Sequence, residues 1–313
     1  MREKFGFKKL QNEVLLEQFR TMSQPALVSR SNGISGKLSL AVEMEQTGRI
    51  GHDLVAACVN DLAALGAKSL FFYANTSCVK PTAEKLQTLE DSMEKGCKEA
   101  GITFAGNDLM ELSDKYAYDD YGLVGFAVGI LDRKKKIGTA RLTDGDVIIG
   151  LSSGGLHNHG YTSAKKQLFL SKAAMDVYYE SLGMTLGQAL LRPTKLYQGC
   201  IQKLCGAGIE IKSCIQVAHG GLDRALRQLL RETYGAVVKQ RMDTVPPLYA
   251  MLRQDGNFSM EQMRTTFNMG IGMLLIVSEN NADRAAEILE EAGEEPIFLG
   301  LVETDRELIR YIE

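Results

Sequence analysis

Apolar positions along the chain alternate between two spacings. Over residues 52–65 they recur as Leu54, Cys58, Leu62 and Leu65, the three- and four-residue spacing of an amphipathic helix, and Gly66 closes it. Residues 83–100 repeat the pattern, with Leu86, Leu89, Met93 and Cys97 in one stripe and Gly101 as the stop. Short continuous apolar runs at 69–74, 102–105 and 122–131 read as buried strands, the last two separated by an acidic, Tyr-rich loop. Before them the pattern predicts a helix over 8–22 and a strand opening at 25–28. A glycine-rich turn follows over 31–37, and then extended chain over 38–44.

The second half alternates again. Helices are expected over 163–182, 193–207, 221–233, 247–254 and 282–292, and strands over 209–217, 235–239, 269–277 and 296–302. A new strand starts after Asp144-Gly-Asp146, so the domain boundary is placed near Gly138, giving domains 1–138 and 139–313. Strands alternating with helices in both halves predict a two-domain α/β (α+β) enzyme rather than an interaction scaffold.

Composition narrows the function. The chain has 313 residues, with 36 Lys and Arg against 39 Asp and Glu, a net charge of −3. No basic excess exists to neutralise a phosphate backbone, so nucleic acid is not expected as a partner. The longest apolar runs, 121–131 and 269–277, are too short to span a bilayer, so no membrane role is expected. The N-terminal stretch mixes Glu with Lys and has no apolar core, so a signal peptide is not expected and the cytoplasm is. The six cysteines form no Cys-x-x-Cys pair and read as inert thiols in a reducing compartment.

Gly33-x-x-Gly36-Lys37 has the look of a phosphate loop, but the spacing is too short, and Leu38 stands where a magnesium-binding Ser or Thr belongs. A glycine-rich turn with one lysine still offers backbone N–H groups and a charge to a phosphate. Gly150-Leu-Ser152-Ser-Gly154 matches a nucleophile elbow, yet Gly155–Gly160 intervenes before any helix, which disfavours a serine hydrolase. Acids near element ends (Asp53, Asp61, Asp108 and Glu111) are the oxygen ligands that magnesium and a triphosphate require. Asp61 has apolar neighbours, so its carboxylate is expected to be partly buried and to need a partner.

The order of motifs resembles one family throughout from Pro25 onward. Gly51-His-Asp-Leu-Val-Ala-Ala-Cys-Val-Asn-Asp-Leu-Ala-Ala-Leu-Gly-Ala-Lys-Ser-Leu-Phe-Phe72 is similar to the first long motif of the aminoimidazole ribonucleotide synthetases, the purine-pathway cyclo-ligases. Asp144-Gly-Asp-Val-Ile-Ile-Gly-Leu151, His157-Asn-His-Gly-Tyr161, Arg192-Pro-Thr-Lys195 and the segment from Glu261 to Met273 follow in order. The resemblance implies a dimer whose N-terminal sheets join into a barrel, and a C-terminal mixed sheet with helices. It implies a reaction in which ATP and Mg2+ phosphorylate the amide oxygen of formylglycinamidine ribonucleotide, after which an internal amine closes the ring.

By the same resemblance, His157, Lys37 and Asn268 are the catalytic candidates. Lys37, Lys80, Asn60, Asp61, Gly33 and Gly36 are the nucleotide-binding ones, and Asp53, Asp61, Asp108 and Glu111 the metal ligands. Three departures are visible: Asn32 and Ala74 stand where the family has Asp, and Ala218-His-Gly-Gly-Leu222 replaces a Thr-Gly-Gly-Gly turn. The family's glycine-rich loop ahead of the first strand is not matched, since Gly6 is the only glycine before Pro25. These departures predict weak ATP binding. They leave open two alternatives, a non-catalytic partner subunit and a relative acting on another substrate.

Overall fold

The computed structural model describes residues 19–79, 82–112, 121–168, 172–240, 245–304 and 308–312. The helix expected over 8–22 lies mostly outside these residues, and Lys80 and most of the Tyr-rich loop lie outside them entirely. The chain divides into two compact units, Met1–Lys136 and Ile137–Glu313.

The first unit is built on a four-stranded sheet of β1 (Pro25–Ile34), β2 (Lys68–Cys78), β3 (Thr103–Glu111) and β4 (Tyr121–Asp132), in the order β1-β4-β2-β3. The β1–β4 and β4–β2 pairs are antiparallel, and β2–β3 is parallel. Helices α2 (Ile50–Ala63) and α3 (Ala83–Ala100) cover one face. Every residue of α2 except Asp61 is buried. Thr82 caps α3 by accepting the Lys85 N–H, and Gly101 ends it in the left-handed conformation. Among the described residues, no helix covers the opposite face. Along it stand Leu27 (60% exposed), Met110 (52%), Val124 (51%) and Phe126 (42%).

Two expectations fail at the start of this unit. No glycine-rich turn exists at 31–37, because β1 runs on to Ile34 with Ser31 opposite Phe126, Asn32 opposite Gly125 and Gly33 opposite Val124. Residues 38–44 are not extended but belong to helix α1 (Gly36–Glu43) and its end. Leu38, Leu40 and Val42 mimic a strand's period of two, whereas the side chains actually buried (Lys37, Leu38, Leu40, Ala41 and Met44) form a helical stripe.

The second unit carries a six-stranded sheet in the order β12-β9-β11-β5-β10-β8. Its strands are β5 (Val147–Ser152), β8 (Ser213–Gln216), β9 (Gly235–Lys239), β10 (Ile271–Val277), β11 (Pro296–Glu303) and β12 (Ile309–Ile312), all antiparallel except the β12–β9 pair. All of β10 and nearly all of β5 are buried, as the continuous apolar runs require. Among the described residues of the helix expected over 163–182, α4 (Tyr161–Leu168) and α5 (Lys172–Met175) are helical. A two-residue hairpin of β6 (Tyr178–Tyr179) and β7 (Met184–Thr185) follows, with Gly183 in positive φ at its turn. A capping box of Thr185 and Gln188 then opens α6 (Leu186–Leu190).

Helix α7 (Gln198–Gly206) starts five residues later than expected. Helices α8 (Gly221–Leu229), α9 (Pro247–Asp255) and α11 (Glu279–Glu291) stand near their expected places. Besides α6 and the β6–β7 hairpin, two elements were not anticipated: α10 (Met260–Thr266), with only Met263 buried, and the four-residue strand β12. Each is too short for a periodic signal.

Candidate functional site

In the first unit the candidate charges are tied to one another. Lys37 Nζ lies 2.7 Å from Asp53 Oδ1, and both side chains are completely buried. Burial pulls the lysine's proton affinity down, and Asp53 opposes that shift. Lys37, expected at the nucleotide, and Asp53, expected at a metal, form a buried ion pair that pins α1 to α2. Eight residues further along α2, Asp61 is only partly buried. Its Oδ2 accepts a 2.8 Å hydrogen bond from the Asn32 amide, which also donates to the Ala57 carbonyl at 3.2 Å. Burial raises the Asp61 pKa against the pull of Asn32 and Arg30. Asn60, beside it, is wholly buried.

The proposed carboxylate cluster does not assemble within one chain. Asp108 and Glu111 are three residues apart on β3 and so project from opposite faces. Asp108 shares the bare face with Val124, through Asn75 between them, whereas Asp61 reaches Asn32 from the helix-covered face. Strands β1 and β3 are the two sheet edges, three strand spacings or roughly 14 Å apart. Asp61 and Asp108 of one chain therefore cannot share one ion. Among the described residues, no group of three or more His, Cys, Asp or Glu is placed to hold a metal. Gly33 and Gly36 lie in β1 and α1 and form no phosphate loop. A cleft of about 1110 Å³ lies between α1 and the start of α3 and is lined by none of the candidate residues.

In the second unit β5 ends, β8 ends and β10 begins on the same side of the sheet, so the loops at 153–160, 217–221 and 267–270 meet there. Asn268 joins two of them. Its Nδ2 donates to the Gly155 carbonyl at 2.9 Å, while its Oδ1 accepts from the Gly270 N–H at 3.1 Å and from the Tyr249 hydroxyl. Gly155 O also accepts from Ser153 Oγ and Tyr249 Oη, both at 2.9 Å.

His157 is fully buried, with φ of 55°, and its Nε2 accepts from the Gly154 N–H at 3.2 Å. Its ring leaves no room for a side chain at Gly272, where a Cβ would meet His157 Cε1 and the Tyr197 hydroxyl. His157 and Asn268 are thus brought together as expected. Both, expected as catalytic, are bonded to the backbone of the 153–155 segment, which holds these loops together. Left-handed backbone at His157 and Met269, which no glycine relieves, marks strain that these bonds sustain.

Two sequence profiles match the chain. One, described as AIR synthase related protein, N-terminal domain, covers residues 18–131. The other, AIR synthase related protein, C-terminal domain, covers 143–313. The chain belongs to the AIR synthase family. The phosphoribosylformylglycinamidine cyclo-ligase of Lachnoclostridium phytofermentans is 39% identical over 288 residues, which span 92% of this chain and 84% of that protein. Among solved structures, the thiamine-monophosphate kinase of Stenotrophomonas maltophilia has the same fold. Its TM-score is 0.70 at 18% identity, over 92% of this chain and 86% of that one. Thermotoga maritima PurL complexed with ATP gives 0.63 at 13% identity, over 98% of this chain and 43% of the larger one. The family assignment agrees with the resemblance read from the motifs.

Sequence reasoning passed over several groups at the second site. Lys195 Nζ lies 2.6 Å from Glu294 Oε2 and 3.1 Å from Ser152 Oγ, and Tyr197 Oη donates to the Ser152 carbonyl at 2.9 Å. Lys195 sits in the Arg192-Pro-Thr-Lys195 motif, which was a usable signal; Glu294, ninety-nine positions away, gave none. His159 packs against His219, and burial together with that neighbour lowers its pKa to about 4.

Proposed function

We propose that the chain is an ATP-dependent cyclo-ligase that converts formylglycinamidine ribonucleotide to aminoimidazole ribonucleotide in purine biosynthesis. The observation that carries this reading is 39% identity, across 92% of the chain, to a protein named for that activity. In the reaction the amide oxygen attacks the γ-phosphorus and ADP leaves. The internal amine then attacks the activated carbon, and the oxygen departs as inorganic phosphate. An amide oxygen is a poor leaving group and a phosphate a good one, so positioning and charge neutralisation do most of the catalysis.

Mg2+ fits Asp61. Its carboxylate is held by the neutral Asn32 amide, and burial makes its charge costly, so a cation is favoured beside it. When bound, magnesium neutralises charge on the transferring phosphoryl group. Asn32 orients the carboxylate. Asn268 and His157 hold the loops of the second unit in one shape for substrate. Asp61 would be the carboxylate that holds the ion, and a hard oxygen ligand suits it.

The bare face of the first sheet supports a homodimer. Leu27, Met110, Val124 and Phe126 form an apolar face that a second copy would cover, removing the exposed β1 and β3 edges as well. The test is phosphate release from ATP and Mg2+ with formylglycinamidine ribonucleotide, with light scattering in parallel. Substrate-dependent release from a dimer is expected. No release across millimolar ATP would overturn the enzyme reading in favour of a partner subunit, and a monomer mass at micromolar concentration would overturn the dimer.

A further inference from the structure

The β6–β7 hairpin has no part in the chemistry derived so far, yet it walls a small cavity in the second unit. The cavity, about 100 Å³, lies between the hairpin turn, the 153–155 loop, Arg192 and the first turn of α9. Glycines bring two of these walls together. A Cβ at Gly154 would lie 2.5 Å from the Pro193 carbonyl oxygen, and one at Gly155 would lie 3.4 Å from Arg192 Cβ. The loop is also fixed in place, because the Gly155 carbonyl accepts from Ser153 Oγ, Tyr249 Oη and Asn268 Nδ2, each at 2.9 Å. Charge on the lining is one-sided. Among the described lining residues Arg192 carries the one charge, Ser153, Ser181 and Tyr249 add hydroxyls, and there is no carboxylate.

We propose that this cavity is the subsite for the phosphate monoester of the ribonucleotide substrate, with Arg192 as its counter-charge. The identity of the ligand rests on the cyclo-ligase reading; its chemistry rests on the lining. A phosphate monoester carries close to two negative charges at neutral pH, and a guanidinium fork matches its oxygens in geometry as well as in sign. Size decides how much of the substrate enters. Pockets for whole small ligands start near about 300 Å³, and one water takes up about 30 Å³ of liquid. About 100 Å³ therefore admits a phosphoryl group and leaves the ribose and the reacting amide outside. Leu182, Met184 and Leu248 make the rest of the wall apolar, which keeps water from screening the pair. Arg192 so grips a part of the substrate that does not react, and orients the part that does.

Calorimetric titration of the full chain with ribose 5-phosphate, ribose and inorganic phosphate, without nucleotide, tests the subsite apart from turnover. Ribose 5-phosphate is expected to bind and ribose not to. Arg192→Ala is expected to weaken that binding about tenfold or more, the worth of one charge-assisted pair, and Arg192→Lys less. Arg192 is exposed, so both variants are expected to keep the parent's melting temperature. In turnover, the KM for formylglycinamidine ribonucleotide is expected to rise in Arg192→Ala while the KM for ATP holds. No binding of ribose 5-phosphate, or equal binding by parent and Arg192→Ala, would overturn the proposal. Inorganic phosphate binding as tightly as ribose 5-phosphate would overturn the assignment to a monoester. Arg192-dependent binding from a chain that releases no phosphate from ATP would uphold the subsite and overturn the cyclo-ligase reading instead.

Discussion

The two units hold their candidate residues in different ways, although each buries a lysine–aspartate pair, Lys37 with Asp53 in the first and Lys212 with Asp146 in the second. The first commits a full charge pair, Lys37 with Asp53, to its interior. The second closes its loops with neutral groups: a histidine, an asparagine and two tyrosines bonded to backbone. A neutral network loses one hydrogen bond at a time, whereas a buried ion pair that loses one member leaves a charge with no counter-ion. The sheets differ in the same sense. The central strands of the second unit are buried on both faces, while the first leaves an apolar face for something outside the unit to cover.

The sharpest way to break this contrast is at Lys37. Lys37→Ala is expected to destabilise the chain by about 3–5 kcal/mol, because it strands the Asp53 carboxylate in a fully buried position. The double variant Lys37→Met with Asp53→Leu keeps the volume and removes both charges, and is expected to recover to within about 1 kcal/mol of the parent. Urea unfolding curves compare the two. A single variant no weaker than the double would show that the pair is not what holds α1 in place.

Much of the fold was readable because its signals are local. Helix α3 agrees with the sequence expectation at both ends: Thr82 caps it, a four-residue stripe faces the core and Gly101 stops it. The first unit's misreading, 38–44 as strand, arose where Leu38, Leu40 and Val42 satisfy two periods at once and only packing decides. Site residues were legible as identities but not as states. The need of Asp61 for a partner followed from its apolar flanks, yet nothing local named Asn32, twenty-nine positions away on another element. Likewise, the motif pattern marked Lys37 and Asp53 as ligands, and only the tertiary structure shows each neutralising the other.

The second unit's neutral chemistry carries a pH signature. Burial, with His219 beside it, lowers His159 from its ordinary 6.5 to about 4. Between those values the unfolded chain binds a proton that the native state refuses. Stability is therefore complete above pH 6.5 and falls as pH drops towards 4, by about 2–3 kcal/mol. His159→Gln is expected to flatten that slope. Denaturant midpoints measured at several pH values across the window check it, and an unchanged slope in the variant would place the titration elsewhere.

The smallest stability effect is expected at Asp61, and it separates the two acids of α2. Asp61 has its folded pKa raised above 3.8, chiefly by burial, so its ionisation costs stability as the pH rises from 3.8 and the cost is complete above the raised value. Asp61→Asn removes the charge while an amide oxygen still accepts from Asn32, so the change in stability should stay under about 1 kcal/mol, with no loss at neutral pH. Binding should move the other way. If Asp61 is where magnesium meets the nucleotide, the variant loses the rise in melting temperature that Mg2+ and ATP give the parent, while its own melting temperature is kept. A variant that keeps both would remove Asp61 from the site. One that loses both would make Asp61, like Asp53, a structural acid, and the difference between the two ends of α2 would vanish.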